Sequence, residues 1–468
     1  MNLAGPVTVT ENPRVGISSA DFIGMVQSTQ SRGDRMFAKA MGETVHTDIA
    51  ASRRDSAKDP AVKHVAFFLD HLGGGGVQKV WLILAGALAQ RGHRVDLLLC
   101  EAEGPLAAQV PDQVRVIELS RSSVFNAGRQ FLLADAKGVV PFWGLLLVAT
   151  SASGTQPYYS DLVRYLRSER PYALYAATPH MNLEAIRARK QAGVPTRLIV
   201  SEHNNLVAGH PLVTGLSRYY LPPLLRRAYK LADAVVAVSN GVADDVAART
   251  GLARERITTI YNPAVTPQLL SQSEEPLDDP WFLPDAPPVV LGAGRLGHAK
   301  DFPTLIRAFA RVRKLRPARL MIIGEAKTPR KTDKQRARLV ALAEKLGVAA
   351  DVKIPGFVQN PFKYMRHAGV FVLSSRYEGL GNVLIEAMAT GSPVVSTDCP
   401  SGPSEILDNG YYGPLVAVGD DAALSKAIVS VLDNPPNRKL LQERAEMFTV
   451  DRAVDSYERL LLGPIEHR

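Results

Sequence analysis

Two glutamates, Glu378 and Glu386, stand seven residues apart in the stretch Ser374-Ser375-Arg376-Tyr377-Glu378-Gly379-Leu380-Gly381-Asn382-Val383-Leu384-Ile385-Glu386. The stretch follows the apolar run Val370–Leu373 and enters a short helical pattern closed by Gly391. Glu378 therefore falls in a loop, and Glu386 lies on the helix one turn past its start. Backbone amides around Gly381 and Asn382 form that helix's N-terminus, where unpaired N–H groups and the helix dipole favour an anion. Carboxylates beside such a site can accept hydrogen bonds from sugar and ribose hydroxyls. A carboxylate pair alone would be weak evidence, since most carboxylates are surface charges.

A second signal is Gly292-Ala293-Gly294-Arg295-Leu296-Gly297-His298-Ala299-Lys300-Asp301-Phe302. Arg295 and Lys300 sit at a strand end, just before a helix. Two such cations can clasp a diphosphate and neutralise it as it departs, with no metal required. The plainer alternative is a solvated loop, but glycines on both sides of Arg295 give backbone freedom that solvent exposure does not need. A third signal is Gly73-Gly74-Gly75-Gly76, between an apolar run and a helical pattern. It fits a phosphate-approaching loop and equally a tight turn. Its spacing misses the Gly-x-Gly-x-x-Gly dinucleotide pattern, with Gln78 or Lys79 where the last glycine belongs. Glu101 and Glu103 end the next strand, so an NAD reading is poor rather than excluded.

These loops need elements to hold them. From His64, short apolar runs alternate with helical stretches: a run over 64–69, a helix over Val77–Gln90, a run over Val95–Cys100. Strand–helix–strand is the unit of a parallel sheet. Further runs at Val114–Leu119, Ala173–Ala177, Leu198–Ser201, Val235–Ser239 and Ile257–Tyr261 continue it. A Pro- and acid-rich stretch follows, then a second series: Val289–Gly292, Leu320–Gly324, Val352–Ile354, Val370–Leu373 and Val394–Thr397. Leu305, Ile306, Phe309, Val312 and Leu315 mark the buried face of one intervening helix. The expected fold is α/β, with two tandem Rossmann-like domains facing each other across a cleft. Residues 1–60 read as a disordered extension and 61–265 as the first domain. A linker covers 266–288, the second domain 289–450, and a terminal helix 451–468 that crosses back to the first domain. Residues 121–157, including Pro141-Phe142-Trp143-Gly144-Leu145, fit either a buried helix or an interfacial anchor.

With these motifs in place, Gly292 to about Asp420 resembles the retaining GT4 glycosyltransferases of the GT-B fold. Glu378 and Glu386 match that family's Glu-x7-Glu, and Arg295 and Lys300 its diphosphate-clasping pair. Cys399-Pro400-Ser401-Gly402-Pro403-Ser404-Glu405-Ile406-Leu407 resembles branches that build lipid-linked glycans and exopolysaccharides. The first domain resembles the family from about Val62, through the glycine loop and Ser201-Glu202-His203-Asn204. The resemblance implies a hexose or N-acetylhexosamine moved, with retention, from a nucleotide sugar, UDP by analogy, to a glycan or lipid-linked acceptor. It implies catalytic roles for Glu378, His203, Arg295 and Lys300. Donor binding falls to Gly74, Gly75, Gly76, Arg295, Lys300, Glu378, Leu380, Gly381, Asn382 and Glu386, with Glu386 on the ribose. One departure stands out: Ala326-Lys327-Thr328-Pro329-Arg330-Lys331 replaces the usual Gly-Pro-basic sequence after Gly324-Glu325.

Composition sets the outer bounds. The chain has 468 residues, 46% hydrophobic and 22% charged, which excludes wholesale disorder. The longest apolar run, Val139–Ala149, falls short of the ~20 residues a spanning helix needs. Two cysteines, Cys100 and Cys399, cannot form a disulfide framework. The net charge of +9 is spread over both halves, which argues against a nucleic-acid tail. There is no Asp-x-Asp triplet and no His/Asp cluster with metal spacing, so no metal or cofactor is expected. The expected location is the cytoplasm, at the inner membrane face: Arg226, Arg227 and Lys230, near Leu221, Leu224, Leu225 and Tyr229, could dock on anionic lipid. Arg311, Arg313, Lys314, Arg316 and Arg319 read as the wet face of a helix. Two other readings stay open: a nucleotide-sugar epimerase on the same fold, and a nucleotide-sugar-binding component of an assembly complex without turnover.

Overall fold

The computed structural model describes residues 62–122, 155–206, 217–326 and 328–462. The expected extension over 1–60 and most of the stretch 121–157, with its Trp143 and leucine run, lie outside the described residues.

The first half folds as β1 (His64–His71), α1 (Gly76–Gln90), β2 (Arg94–Glu101), β3 (Val114–Glu118), α2 (Tyr159–Glu169), β4 (Ala173–Ala177), α3 (Pro179–Ala192), β5 (Arg197–Glu202), α4 (Ser217–Tyr229), β6 (Ala234–Ala237), α5 (Asn240–Thr250) and β7 (Ile257–Thr259). The seven strands form one parallel sheet in the order β3-β2-β1-β4-β5-β6-β7. Strand order reverses between β1 and β4, so a crevice opens beyond their carboxyl ends, where open α/β sheets bind ligands. Val65 to Leu69 are all buried. That is why β1 reads as an unbroken apolar run rather than an alternating one. Phe67 stacks on Tyr175 at 5.0 Å and meets Trp81 edge-on at 4.9 Å.

The second half comprises α6 (Pro267–Ser273), β8 (Val289–Ala293), α7 (Phe302–Leu315), β9 (Arg319–Ile323), α8 (Pro329–Lys345), β10 (Val352–Gly356), α9 (Phe362–His367), β11 (Val370–Leu373), α10 (Asn382–Ala389), β12 (Val394–Thr397), α11 (Pro403–Ile406), β13 (Leu415–Val416), α12 (Asp421–Asp433), α13 (Arg438–Ala445) and α14 (Val450–Leu462). Its sheet is parallel throughout, ordered β10-β9-β8-β11-β12-β13. Here the switch lies between β8 and β11, whose following loops carry Arg295–Lys300 and Glu378–Gly381.

Several details differ from the sequence reading. The stretch 266–288 contains α6, with Pro267 in its first turn and the Thr266 hydroxyl accepting from the Leu269 amide. Leu315 is 70% exposed, so the buried stripe of α7 ends at Val312. The basic face of α7 is paired rather than merely wet: Arg311 with Asp421, Arg313 with Asp351 and Arg316 with Asp433. The last helix, α14, packs on the first domain. Tyr457 and Leu461 join its core, and Arg91 on the C-terminal side of α1 pairs with Asp455 and Glu458 at 2.6 Å each. His93 adds a bond to Glu458 at 3.0 Å.

Candidate active site

The loop after β8 is shaped by a close approach of two backbones. Gly324 has φ of +141°, and a Cβ there would overlap the Gly294 carbonyl oxygen. Gly294 has φ of +143°, and a Cβ there would stand 2.7 Å from Lys300 Cε. Both positions need glycine, because the conformation is left-handed-side and the space is filled. The result is that the Lys300 stem folds over Gly294 and its ammonium is delivered to Glu378. Lys300 Nζ donates to Glu378 Oε1 at 2.6 Å, and the Ser375 hydroxyl donates to the same oxygen at 2.6 Å. Each member of the ion pair keeps about one-sixth of its side chain exposed, at 16% and 14%.

The two loops are stitched together around that pair. The Arg376 amide donates to the Ala299 carbonyl at 2.7 Å, and the Ser374 hydroxyl to the Lys300 carbonyl at 2.8 Å. The Arg376 guanidinium meets the buried Asp301 carboxylate at 2.9 Å. A third loop supports them from behind. Gly402, at φ +99°, lies so close that a Cβ would overlap the Leu380 carbonyl oxygen, and Pro400 accepts from the Glu378 amide at 3.4 Å. Gly381, at φ +102°, caps α10 without a side-chain bond. The amides of Asn382 and its neighbours are thus left for another acceptor.

Glu386 projects from the second turn of α10 and is half-buried. Its carboxylate has no hydrogen-bond partner among the described residues. Burial pushes its carboxyl above the usual range, while the charges of Lys79 and Lys300 pull it partway back. Lys79 comes from the other domain. It sits in the first turns of α1, with its ammonium 5.5 Å from the centre of the Phe362 ring. The glycine spacing alone gives Lys79 no role. Its position just after a glycine loop that opens a helix was the available signal. Arg295 is exposed and makes no ion pair among the described residues, so the structure puts Lys300 on Glu378 and leaves Arg295 at the rim.

The glycine loop works through space rather than through unusual backbone. None of Gly73–Gly76 has a positive φ. Gly74 and Gly76 have nothing within 4 Å of where a Cβ would stand, so a ligand could reach their backbone. Gly75 precedes α1, which carries no side-chain cap.

His203 follows β5 on the same side. Its ring is buried, with Trp81 Nε1 donating to Nε2 at 3.2 Å and the Ser201 hydroxyl 3.0 Å from the same nitrogen. Indole N–H only donates, so Nε2 is an acceptor and Nδ1 carries the proton. Burial lowers the His203 pKa to about 4, which keeps the ring neutral near pH 7. Beneath it, Glu202 is buried and bonded by the Tyr229 hydroxyl and by Asn182 Nδ2, the latter at 3.0 Å. Burial pushes the Glu202 carboxyl up to about 8 against the pull of those bonds.

The carboxyl ends of the two sheets meet here. A Cβ at Gly379 would overlap the His203 carbonyl oxygen, and the Ser239 hydroxyl donates to the Gly379 carbonyl at 2.6 Å. Asn262 Nδ2 donates to Asn382 Oδ1 at 3.0 Å. Glu378, Lys300, Glu386, Leu380–Asn382, His203 and the glycine-loop helix thus share one cleft.

One cluster lies elsewhere. His64, Asp96 and Glu169 have ligand atoms within 4.8 Å of one another, a grouping not apparent from sequence spacing. Protein cations and donors already occupy it: Arg115 bonds both carboxylates, and Tyr165 donates to Asp96 at 2.6 Å. These contacts hold Asp96 far below the usual carboxylate range despite burial. At the basic helix α4, Leu221, Leu225 and Tyr229 point into the core, whereas Arg226, Arg227 and Lys230 are exposed. No described helix is long and apolar enough to cross a membrane.

Comparison with known proteins follows the same two-part division. Residues 74–266 match the family described as Glycosyltransferase Family 4, and residues 273–448 match Glycosyl transferases group 1. A Campylobacter jejuni relative is 26% identical over 82% of this chain and 94% of its own length. It is named N-acetylgalactosamine-N,N'-diacetylbacillosaminyl-diphospho-undecaprenol 4-alpha-N-acetylgalactosaminyltransferase. The lipopolysaccharide core biosynthesis glycosyltransferase LpsE of Rhizobium meliloti is 33% identical over 50% of this chain and 65% of its own. Among solved structures, Anabaena HepE in complex with UDP and glucose superposes with a TM-score of 0.64, at 20% identity over 86% of this chain and all of that one. With both halves matched in order and two parallel sheets facing across one cleft, the chain belongs to the GT4 family of glycosyltransferases and has the GT-B fold.

Proposed function

We propose that this glycosyltransferase moves a hexose or N-acetylhexosamine from a UDP-sugar to a lipid-linked or polysaccharide glycan, with retention and without a metal. The observation that carries the reading is the Lys300–Glu378–Ser375 cluster beside the N-terminus of α10, which has no side-chain cap, with Glu386, lacking a hydrogen-bond partner among the described residues, one turn on. The relatives lend the acceptor class: one is named for an undecaprenol-diphosphate glycan and another for lipopolysaccharide core synthesis. The donor base follows HepE, whose complex holds UDP and glucose.

On this reading Glu386 accepts hydrogen bonds from the ribose hydroxyls, and Glu378, oriented by Lys300 and Ser375, holds hydroxyls of the donor sugar. The diphosphate lies against the α10 N-terminus, with Lys300 and Arg295 as its cations and the glycine-loop helix opposite. As the bond from the anomeric carbon to the phosphate oxygen breaks, its electron pair goes to the diphosphate, where these positive groups stabilise it. The acceptor oxygen bonds to the same face of the anomeric carbon and its proton passes to the leaving oxygen. His203, neutral with its proton on Nδ1, serves as a hydrogen-bond donor near the reacting sugar. The exposed Arg226, Arg227 and Lys230 give α4 an electrostatic contact with anionic lipid at the cytoplasmic face.

The test is a thermal-shift panel of nucleotides and nucleotide sugars with chelator present, since a ligand that binds only the folded state raises its stability. The expected result is a shift with UDP or a UDP-sugar that survives chelator. Release of UDP on adding a polyprenyl-diphosphate glycan should follow, and turnover without acceptor would instead mark an epimerase. A shift only with NAD(H), or only with added metal, defeats the reading.

A further inference from the structure

Helix α5 begins at Asn240, and its first amides need acceptors. The Ser239 hydroxyl takes the Val242 amide at 3.1 Å. The two amides before it are met from the opposite domain. Glu405 Oε2 accepts from the Asn240 amide and Glu405 Oε1 from the Gly241 amide, both at 2.8 Å, and the Tyr261 hydroxyl donates to Oε2 at 3.2 Å. A carboxylate of the donor-side domain therefore caps a helix of the acceptor-side domain, favoured both by the charge-assisted bonds and by the helix dipole.

The contact is built on both sides. Glu405 is anchored through its own backbone, its carbonyl accepting from Arg444 Nη2 at 2.6 Å and the Ile406 carbonyl from Arg444 Nε at 3.0 Å. On the other side a Cβ at Gly241 would stand 2.8 Å from Ser401 Cα, so the helix end fits only as glycine. One residue before the capped amides, the Ser239 hydroxyl donates to the Gly379 carbonyl. Gly379 follows Glu378 directly and lies against the His203 carbonyl. Bonds from Glu405 to the start of α5 and from Ser239 to Gly379, with the close approach of Gly379 to the His203 carbonyl, thus join Glu405 to the two loops that carry the acceptor-side histidine and the donor-side glutamate. Glu405 and Gly241 remain only half-buried and Asn240 is exposed, so water can replace these bonds when the domains part.

We propose that Glu405 is a positioning residue: by capping α5 across the cleft it sets the register between His203 and Glu378 when the domains close. This rests on the transferase reading above. Both of its carboxylate oxygens are taken by the α5 amides and the Tyr261 hydroxyl, so its effect is on the closed arrangement rather than on nucleotide affinity. Glu405→Ala removes both amide caps and the Tyr261 bond, whereas Glu405→Gln keeps a single acceptor oxygen and a similar shape.

The experiment uses the full chain. It measures kcat for sugar transfer, the UDP dissociation constant by calorimetry, and the radius of gyration by X-ray scattering with UDP bound. For Glu405→Ala we expect kcat at least tenfold lower, a UDP dissociation constant within twofold of wild type, and a larger radius of gyration. Glu405→Gln should fall between the two in kcat. A kcat within twofold of wild type in Glu405→Ala, or UDP affinity falling in parallel with kcat, overturns the proposal. If wild type shows no transfer with any donor, the transferase reading fails. Scattering still decides the cap, because an unchanged radius in Glu405→Ala refutes it alone.

Discussion

Replacing Lys300 by methionine separates two jobs that one ammonium performs. Methionine keeps a flexible stem to lie over Gly294 and removes only the charge and its donors. Glu378 then loses the 2.6 Å bond from Nζ and keeps the one from the Ser375 hydroxyl. A hydrogen bond to a charged group contributes about 1.5–3 kcal/mol. The pair is mostly but not wholly buried, so the lower half of that range applies, and the melting temperature should fall by about 2–6 °C. Catalysis should suffer more. A preorganised group that stabilises developing negative charge is worth about 100- to 1,000-fold in kcat. The assay is UDP release under saturating donor, run on Lys300→Met, Glu378→Gln and the double variant. If Lys300 acts on the leaving diphosphate, its replacement still costs at least tenfold in the Glu378→Gln background. If that cost vanishes in the double variant, Lys300 serves only to hold Glu378, and the assignment of the leaving-group cation is wrong.

Glu386→Ala and Arg295→Ala should each abolish transfer and leave the far-ultraviolet circular dichroism of the fold intact; wild-type rates in either would remove that residue from the site. Glu202 makes a pH prediction. Its folded pKa, about 8, lies above the ordinary carboxyl value of 4.5, so the folded state holds the proton more tightly than the unfolded chain. Stability from this group is full below about 4.5 and is lost as pH rises towards 8. Glu202→Gln should therefore melt near wild type at pH 5 and higher than wild type at pH 8, and equal melting temperatures at both would refute the shift. Tyr457→Ala opens a cavity in the first domain's core and should cost about 3–5 kcal/mol in denaturant unfolding, although Tyr457 lies outside that domain in sequence. A loss below about 1 kcal/mol would mean that α14 is not part of that core.

The two sheets were legible because buried parallel strands leave a signal that needs no tertiary context: unbroken runs such as Val65–Leu69, punctuated by glycine and separated by helical periods. β13 was not, since two residues carry no period. Leu315 misled because it continues the spacing of α7 beyond the turn that packs. At the site, the motifs Gly292–Lys300 and Ser374–Glu386 were visible because each is contiguous. Which cation meets which carboxylate was not, since it depends on Gly324 approaching Gly294, two positions thirty residues apart whose only sequence trace is that both are glycine. The cross-cleft partners were hidden for the same reason. Lys79, Ser239 and Glu405 are ordinary residue types in ordinary helices or helix caps. Their meaning comes from the facing of the two carboxyl edges, which places Ser239 on Gly379 and Glu405 on the end of α5. A sequence can therefore announce each half of such a site separately. The coupling between halves is written in residues that satisfy the exposed ends of secondary structure across a gap, and those acquire a role only once the gap closes.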